Sequence, residues 1–282
     1  MEIITNDAEL ENAGFYWRTK QNVRALICRA LDEDKFTNGF STRLGGCSPI
    51  SQDALNLAGF SDDAPANIHE NRRRFLTLFS GDWTLATCWQ MHGADVHVIT
   101  DKRRAQVSDE VRCDALTTQA PNILLGVKTA DCVPVILGDA RTKAIAAVHA
   151  GWRSTLASII SHTLERMREE FGTRAKDVRA AIGPAARACC YEVGDEVISA
   201  FRARFTDAES LLTPTPNGHA LIDLPKANCA QLLKAGVLSE RIHIAPLCTM
   251  CRTDLFFSYR REKKVYGRTG RLLSVIGRAQ EI

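Results

Sequence analysis

No stretch of this chain is apolar over the length a bilayer requires, so no membrane association is expected. The opening residues, MEIITNDAELENAGFYWR, are acidic and lack a basic start followed by an apolar run. A secretory signal is therefore not expected, and the expected compartment is cytoplasmic. Low-complexity tracts, internal repeats and long Pro/Gly/Ser linkers are also missing, which predicts one continuous domain over residues 1–282. Strong charge of either sign is missing too: the net charge is +3, and basic runs such as Arg72-Arg73-Arg74 and YRREKK are short. Such runs read as solvated faces, so no nucleic-acid partner is expected, although single arginines could still hold a small anion such as phosphate. Gly-x-Gly-x-x-Gly after a strand, Walker A, Gly-x-Ser-x-Gly and His-Glu-x-x-His are all absent, which removes the commonest cofactor and hydrolase signatures.

What is present is a chain of 282 residues, 45% hydrophobic and 24% charged, able to bury a sizeable core. Its ten cysteines are irregularly spaced, and a chain this long does not need disulfide staples. Most are expected to be buried small apolar groups. CTMC, with Cys248 and Cys251, reads as a lone Cys-x-x-Cys without a second pair, so a structural zinc ribbon is not expected. Its surroundings also lack a thioredoxin-like context for a redox dithiol.

Short β-branched runs predict strands at 95–99, 122–127, 133–137, 144–149, 178–183 and 242–246, with LGDARTKA as a tight connection. Helices are predicted from Ser154 to Phe171, where Gly172 supplies the stop, and over Asp195–Phe205, Pro225–Ala235 and Asn67–Phe79. Strands adjacent in sequence argue against pure βαβ alternation. The expected class is α/β of mixed α+β character: a single-domain layered sandwich of mixed sheets flanked by helices.

Three soft ligands stand at strand ends or beside glycine: His92 in WQMHGADV, Cys132 in KTADCVPVIL and His149 in VHAGWRST. Two imidazoles and a thiolate suit Zn²⁺ and would leave a position open for water or substrate. Cys132 and His149 also make a legal nucleophile–base pair, and ordinary packing explains lone residues of both kinds. Spacing leaves all three readings open.

These segments resemble the YfiH family, also described as laccase-domain or polyphenol oxidoreductase proteins and as purine nucleoside phosphorylases. The resemblance rests on an ordered set: STRLGGCS, LNLAGFSDDAPANIHENRR, WQMHGADV, CDALTT, KTADCVPVIL, VHAGWRST, IGPAARACCYEVGDEV, DLPKAN, CTMC, and FFSYRR followed by TGR. It implies a mixed α/β sandwich and a Zn²⁺ site formed by His92, Cys132 and His149, with Cu²⁺ possible. It also implies phosphorolysis of adenosine, inosine and S-methyl-5′-thioadenosine, with purine nucleoside and phosphate as partners. Adenosine deamination by metal-activated water is a further implied activity. Met91 stands where the family usually has Val, and Ser154 where it usually has Gly after Trp152-Arg153; neither change removes a ligand.

For that chemistry, Arg43 in a glycine-rich turn and Arg153 near His149 are the candidate anion contacts. Asp131, adjoining Cys132, is a candidate to orient a ligand or move a proton. Two rival readings accompany this one: a cysteine-dependent amide hydrolase editing a peptidoglycan precursor, and a copper-dependent polyphenol oxidase. The second is disfavoured as a multicopper enzyme, because seven histidines include no His-x-His pair. A zinc-stabilised binding scaffold is the non-enzymatic alternative.

Overall fold

The computed structural model describes residues 7–50, 54–59 and 63–280. Residues 1–6 of the opening segment and 60–62 of LNLAGFSDDAPANIHENRR lie outside this description. One six-stranded sheet has the spatial order β1 (Phe15–Lys20), β2 (Val23–Cys28), β3 (Phe36–Ser41), β15 (Leu272–Arg278), β7 (Ile123–Thr129) and β4 (Thr84–Ala86). It is antiparallel except where β4 runs alongside β7. A second six-stranded sheet has the order β14 (Ile242–Ile244), β10 (Val178–Ile182), β8 (Val133–Asp139), β9 (Ile145–Ala150), β6 (Ala115–Thr118) and β5 (Val96–Val98). Its inner pairs are antiparallel and its two edge strands are parallel to their neighbours. A small sheet places β13 (Ala220–Ile222) between β11 (Glu192–Val193) and β12 (Leu212–Pro214). The class is therefore mixed α/β, as the interleaved strands and helices imply.

Side-chain alternation along the strands builds the layers. On β7 and β15, Leu125, Val127, Leu272 and Ile276 share a core with Leu116, Ile136, Ile145 and Ala147 of the second sheet. The opposite face of the first sheet, through Leu124, Leu273 and Val275, packs on Phe75 of helix Pro65–Leu76. The opposite face of the second, through Val135, Leu137, Ala146 and Val148, meets Ile160 and Leu164, Phe201, and Leu232 from three further helices. Each such buried aliphatic or aromatic side chain contributes about 1.5–3 kcal/mol of transfer free energy. The sheets approach closely at Gly183, where a Cβ would stand 2.2 Å from the Phe40 ring.

The predicted strands at 95–99, 122–127, 133–137, 144–149, 178–183 and 242–246 correspond to β5, β7, β8, β9, β10 and β14. The helix expected without interruption from Ser154 is instead two pieces, Trp152–Leu156 and Ile159–Phe171. Ser158 adopts a left-handed φ of 60° between them, which re-aims the second helix so that Ile159, Ile160, Leu164 and Met167 all face the sheet. The predicted stop at Gly172 is a left-handed C-cap, and Asp223 caps its helix by accepting from the Lys226 amide.

Candidate metal and active site

At one end of the second sheet, β8 begins just after Cys132, β9 ends just past His149, and β6 begins just after Asp114. The β8–β9 register sets Pro134 opposite His149. The β6–β9 register continues into a hydrogen bond from the His149 amide to the Asp114 carbonyl, 2.8 Å long. His92 arrives from the loop between β4 and β5.

That loop is held by one carboxylate. Asp114 accepts from the backbone amides of Met91 at 3.1 Å, His92 at 2.9 Å and Gly93 at 2.6 Å. Three converging N–H donors offset the left-handed backbone of His92, whose φ is 62°. The same carboxylate sits 2.8 Å from His149 Nδ1, which directs the other ring nitrogen, Nε2, toward the remaining ligands. Burial opposes ionisation of Asp114, but the His149 contact and the backbone donors outweigh it and hold its carboxyl below the ordinary value.

The ligand atoms of His92, Cys132 and His149 all lie within 4.8 Å of one another. The two imidazole rings meet edge to face, with centroids 4.8 Å apart and planes at 82°. Burial resists charge on the Cys132 thiol, yet the facing His149 and His92 imidazoles overcome it and bring the thiol down to about 6. Burial likewise disfavours a charged His149, and the Cys132 sulfur and Asp114 overcome it, raising His149 to about 9. The cluster thus favours a thiolate facing an imidazolium.

The backbone makes room for these side chains. A Cβ at Gly151 would stand 3.1 Å from His92 Cδ2 and 3.2 Å from Cys132 Sγ, so glycine forms a cradle in which the His92 ring and the Cys132 sulfur pack against the main chain. Two imidazoles, one thiol, an orienting carboxylate and this cradle fit a divalent metal of the zinc type.

The structure thus brings together the three residues expected from the sequence as candidate ligands. It gives Asp131 a different setting. Asp131 has a left-handed φ of 85°, and its oxygens accept from Thr249 Oγ1 at 2.7 Å, Ser258 Oγ at 3.0 Å and the Arg260 amide at 2.7 Å. Burial raises its pKa despite these donors. With its oxygens engaged this way, Asp131 fixes the backbone preceding Cys132. Arg43 Nη1 contacts Glu262 at 2.7 Å and the Thr253 carbonyl at 2.8 Å, and its guanidinium lies 4.5 Å from the centre of the Phe257 ring. It lines an open cleft of about 1070 Å³ with Arg73, Arg74 and Arg261, and none of the three ligands forms part of that wall. Arg153 follows the cradle glycine by two positions, stacks 4.0 Å over Trp152 and pairs with Glu196 at 3.3 Å on the exposed surface.

Sequence reasoning passed over Asp114, Tyr191 and Arg260. Asp114 stands in the CDALTT segment, but only strand pairing sets its carboxylate against His149. Tyr191 is close enough to feel the Cys132 charge, and the Arg260 guanidinium stacks 5.1 Å from its ring centre. Their segments, CCYEV and SYRR, were visible as motifs without assigned roles. The CTMC reading also needs correction, because a second pair exists: Cys189 and Cys190 come together in space with Cys248 and Cys251.

No helix among the described residues is long and apolar enough to cross a membrane. Residues 37–279 match a family model described as multi-copper polyphenol oxidoreductase laccase. A purine nucleoside phosphorylase of Bacteroides thetaiotaomicron is 37% identical over 243 residues, covering 84% of this chain and 89% of that protein. The adenosine deaminase RL5, from an unknown prokaryotic organism, is 39% identical over 186 residues, covering 64% of this chain and 71% of its own length. Among solved structures, the hypothetical protein YfiH of Bacillus licheniformis superposes with a TM-score of 0.84 at 30% identity, covering 93% of this chain and 98% of that one.

Proposed function

The chain belongs to the multi-copper polyphenol oxidoreductase laccase family, the YfiH-type proteins, and on that premise we propose that it is a Zn²⁺-dependent purine nucleoside phosphorylase. Its substrates in this reading are adenosine, inosine and S-methyl-5′-thioadenosine, and adenosine deamination is a second activity of the same site. The relatives named as phosphorylase and deaminase support the substrate class. The observation that carries the reading is the convergence of His92, Cys132 and His149 on one another beside Gly151, backed by Asp114.

His92, Cys132 and His149 would hold the metal, which supplies Lewis-acid polarisation of the substrate group placed against it. Asp114 keeps the His149 ring aimed at the cluster and the His92 loop closed around it. Arg153 supplies an anion contact, because its pair with Glu196 is solvent-exposed and easily exchanged for phosphate oxygens. Tyr191 stands beside the cluster as a phenol, and the Arg260 guanidinium stacks on its ring and donates to the Glu192 carbonyl. In phosphorolysis an oxygen of hydrogen phosphate bonds to the anomeric carbon, the bond from that carbon to the purine nitrogen breaks, and the proton given up by the phosphate leaves on the base. Ten free thiols fit a reducing, cytoplasmic compartment.

Incubating the purified protein with adenosine, with and without phosphate, tests this reading. Adenine and ribose 1-phosphate should appear only with phosphate, and both should vanish in Cys132→Ala together with the metal of the His92/Cys132/His149 cluster. Full turnover by metal-free protein would overturn the zinc reading.

One specific observation favours a second reading. The Cys132 thiol lowered to about 6 beside His149 is also the setting of a thiolate nucleophile, suited to an amide hydrolase acting on a cell-wall precursor. Such an enzyme would be alkylated at Cys132 and lose activity faster after chelation, whereas the zinc enzyme is inactivated by chelation alone. The His₂Cys set would also accept Cu²⁺, so slow phenol oxidation by copper-loaded protein is compatible with either reading.

A further inference from the structure

Four thiols from two pairs far apart in sequence meet at the surface. Cys190 Sγ lies 3.4 Å from Cys248 Sγ and 3.5 Å from Cys251 Sγ. Cys189 Sγ lies 3.5 Å from Cys251 Sγ and 3.7 Å from Cys190 Sγ. All four sulfurs fall within 4.8 Å of one another. A disulfide needs about 2.05 Å between sulfurs, so none of these contacts is one. Four sulfurs placed tetrahedrally at about 2.3 Å from one ion are separated by about 3.8 Å, close to the observed edges. Thiols gathered for burial alone would be covered, yet Cys189 and Cys251 are exposed and only Cys248 is fully buried.

The backbone prepares this geometry independently of the thiols. Ala185 and Cys248 form a parallel bridge, and the Thr249 amide donates to the Ala185 carbonyl at 3.0 Å. These bonds lay the loop after β10 beside the turn after β14. The Arg252 amide donates to the Cys248 carbonyl at 3.0 Å, closing the Cys-x-x-Cys turn. Arg187, Arg252 and Asp223 line the small cavity beside Cys189, Cys248 and Cys251, and Arg252 is paired with Asp254 at 2.7 Å.

We propose that Cys189, Cys190, Cys248 and Cys251 form a closed structural Zn²⁺ site, distinct from the His92/Cys132/His149 cluster. Four protein sulfurs fill a tetrahedral ion and leave no position for substrate, so the site staples and does not catalyse. What it staples bears on the first cluster. Thr249, inside the Cys-x-x-Cys turn, donates to Asp131, and the Ala186 amide donates to the Asp131 carbonyl at 2.9 Å. Both stapled segments therefore grip the residue that precedes Cys132.

The test reads metal content and needs no turnover, so it stands or falls apart from the phosphorylase reading. His92→Ala/Cys132→Ala protein, purified without chelator, should retain about one zinc per chain by mass spectrometry of the metal. Refolded or exchanged with Co²⁺, the same protein should show thiolate-to-cobalt charge-transfer absorption of a tetrahedral sulfur site. Adding Cys248→Ser/Cys251→Ser should abolish both signals. Because that last variant risks misfolding, thiol titration of the parent protein gives a second readout: a strong chelator should release the metal and expose four further reactive thiols. Absence of zinc and of the cobalt spectrum in His92→Ala/Cys132→Ala protein overturns the proposal. So does a Cys190–Cys248 or Cys189–Cys251 disulfide in metal-free protein prepared under air exclusion.

Discussion

Gly151→Ala isolates the cradle from every other feature of the site. Gly151 has φ −69° and ψ 171°, a backbone open to any L-residue, so the added methyl meets no conformational barrier of its own. That methyl would lie 3.1 Å from His92 Cδ2, 3.2 Å from Cys132 Sγ and 3.9 Å from His149 Cε1. Ordinary carbon contacts are about 3.5–4.0 Å, so His92 or Cys132 must move by a few tenths of an ångström. In metal-free protein the exposed His92 can swing outward and relieve the crowding. A bound metal needs all three ligands together and removes that escape. Overpacking of this kind costs about 1–3 kcal/mol, which corresponds to zinc affinity at the cluster weakened by about 5–150-fold. The assay is competition against a chromophoric chelator, alongside thermal unfolding of the metal-free variant. The metal-free melting temperature should fall by about 4 °C or less, since Ala is a poorer helix N-cap than Gly by about 1 kcal/mol. Unchanged zinc affinity would refute the cradle, and so would a metal-free destabilisation large enough to explain the whole loss.

Four further outcomes follow from the same geometry. With Cys132 at about 6 and His149 at about 9, zinc capture between those values expels about one proton, from His149, so affinity should rise about tenfold per pH unit; calorimetry in buffers of different ionisation enthalpy counts the proton, and a flat profile contradicts the pairing. Asp114→Asn should weaken zinc binding about 10–100-fold. Because the Asp114 carboxyl is held below its ordinary value, its stabilising contribution is present above pH about 4 and lost as pH falls through the lower folded value, a step in acid unfolding that the variant should lack. Thr249→Val removes a donor from the buried Asp131 carboxylate and should cost about 1–3 kcal/mol in urea unfolding. Arg153→Ala should raise KM for phosphate with little change in melting temperature, since an exposed ion pair is worth at most about 1 kcal/mol.

Local pattern carried some elements and not others. β8, β9 and the hairpin between them are legible because VPVIL and AIAAVH are strand-length apolar runs divided by turn residues. β3, FTNGFS, carries Asn and Gly that weaken any strand signal. It is held instead by the buried Asn38 side chain, which accepts from the Cys28 amide at 2.8 Å and donates to the Cys28 carbonyl at 3.2 Å. Periodicity across 154–171 was real but concealed the break at Ser158, because a single left-handed residue leaves the apolar spacing almost intact. Among the site residues, His92, Cys132 and His149 advertise themselves by chemistry, whereas an aspartate such as Asp114 is common at turns and shows its role only through its partners.

The sequence alone determined which ligand-bearing side chains exist, which helix faces turn inward, and that Cys132 and His149 border consecutive strands. Tertiary structure decided which of them meet. The β6–β9 register carries Asp114 to His149, and Asp114 in turn folds the His92 loop over the cluster. The pairing of Cys190 with Cys248, 58 residues apart, likewise exists only once the loops after β10 and β14 lie side by side. The reason is physical. Loop closure costs free energy that grows only logarithmically with chain separation, so distance along the sequence says little about distance in space. Strand register and hydrogen bonding between backbone segments supply that missing information.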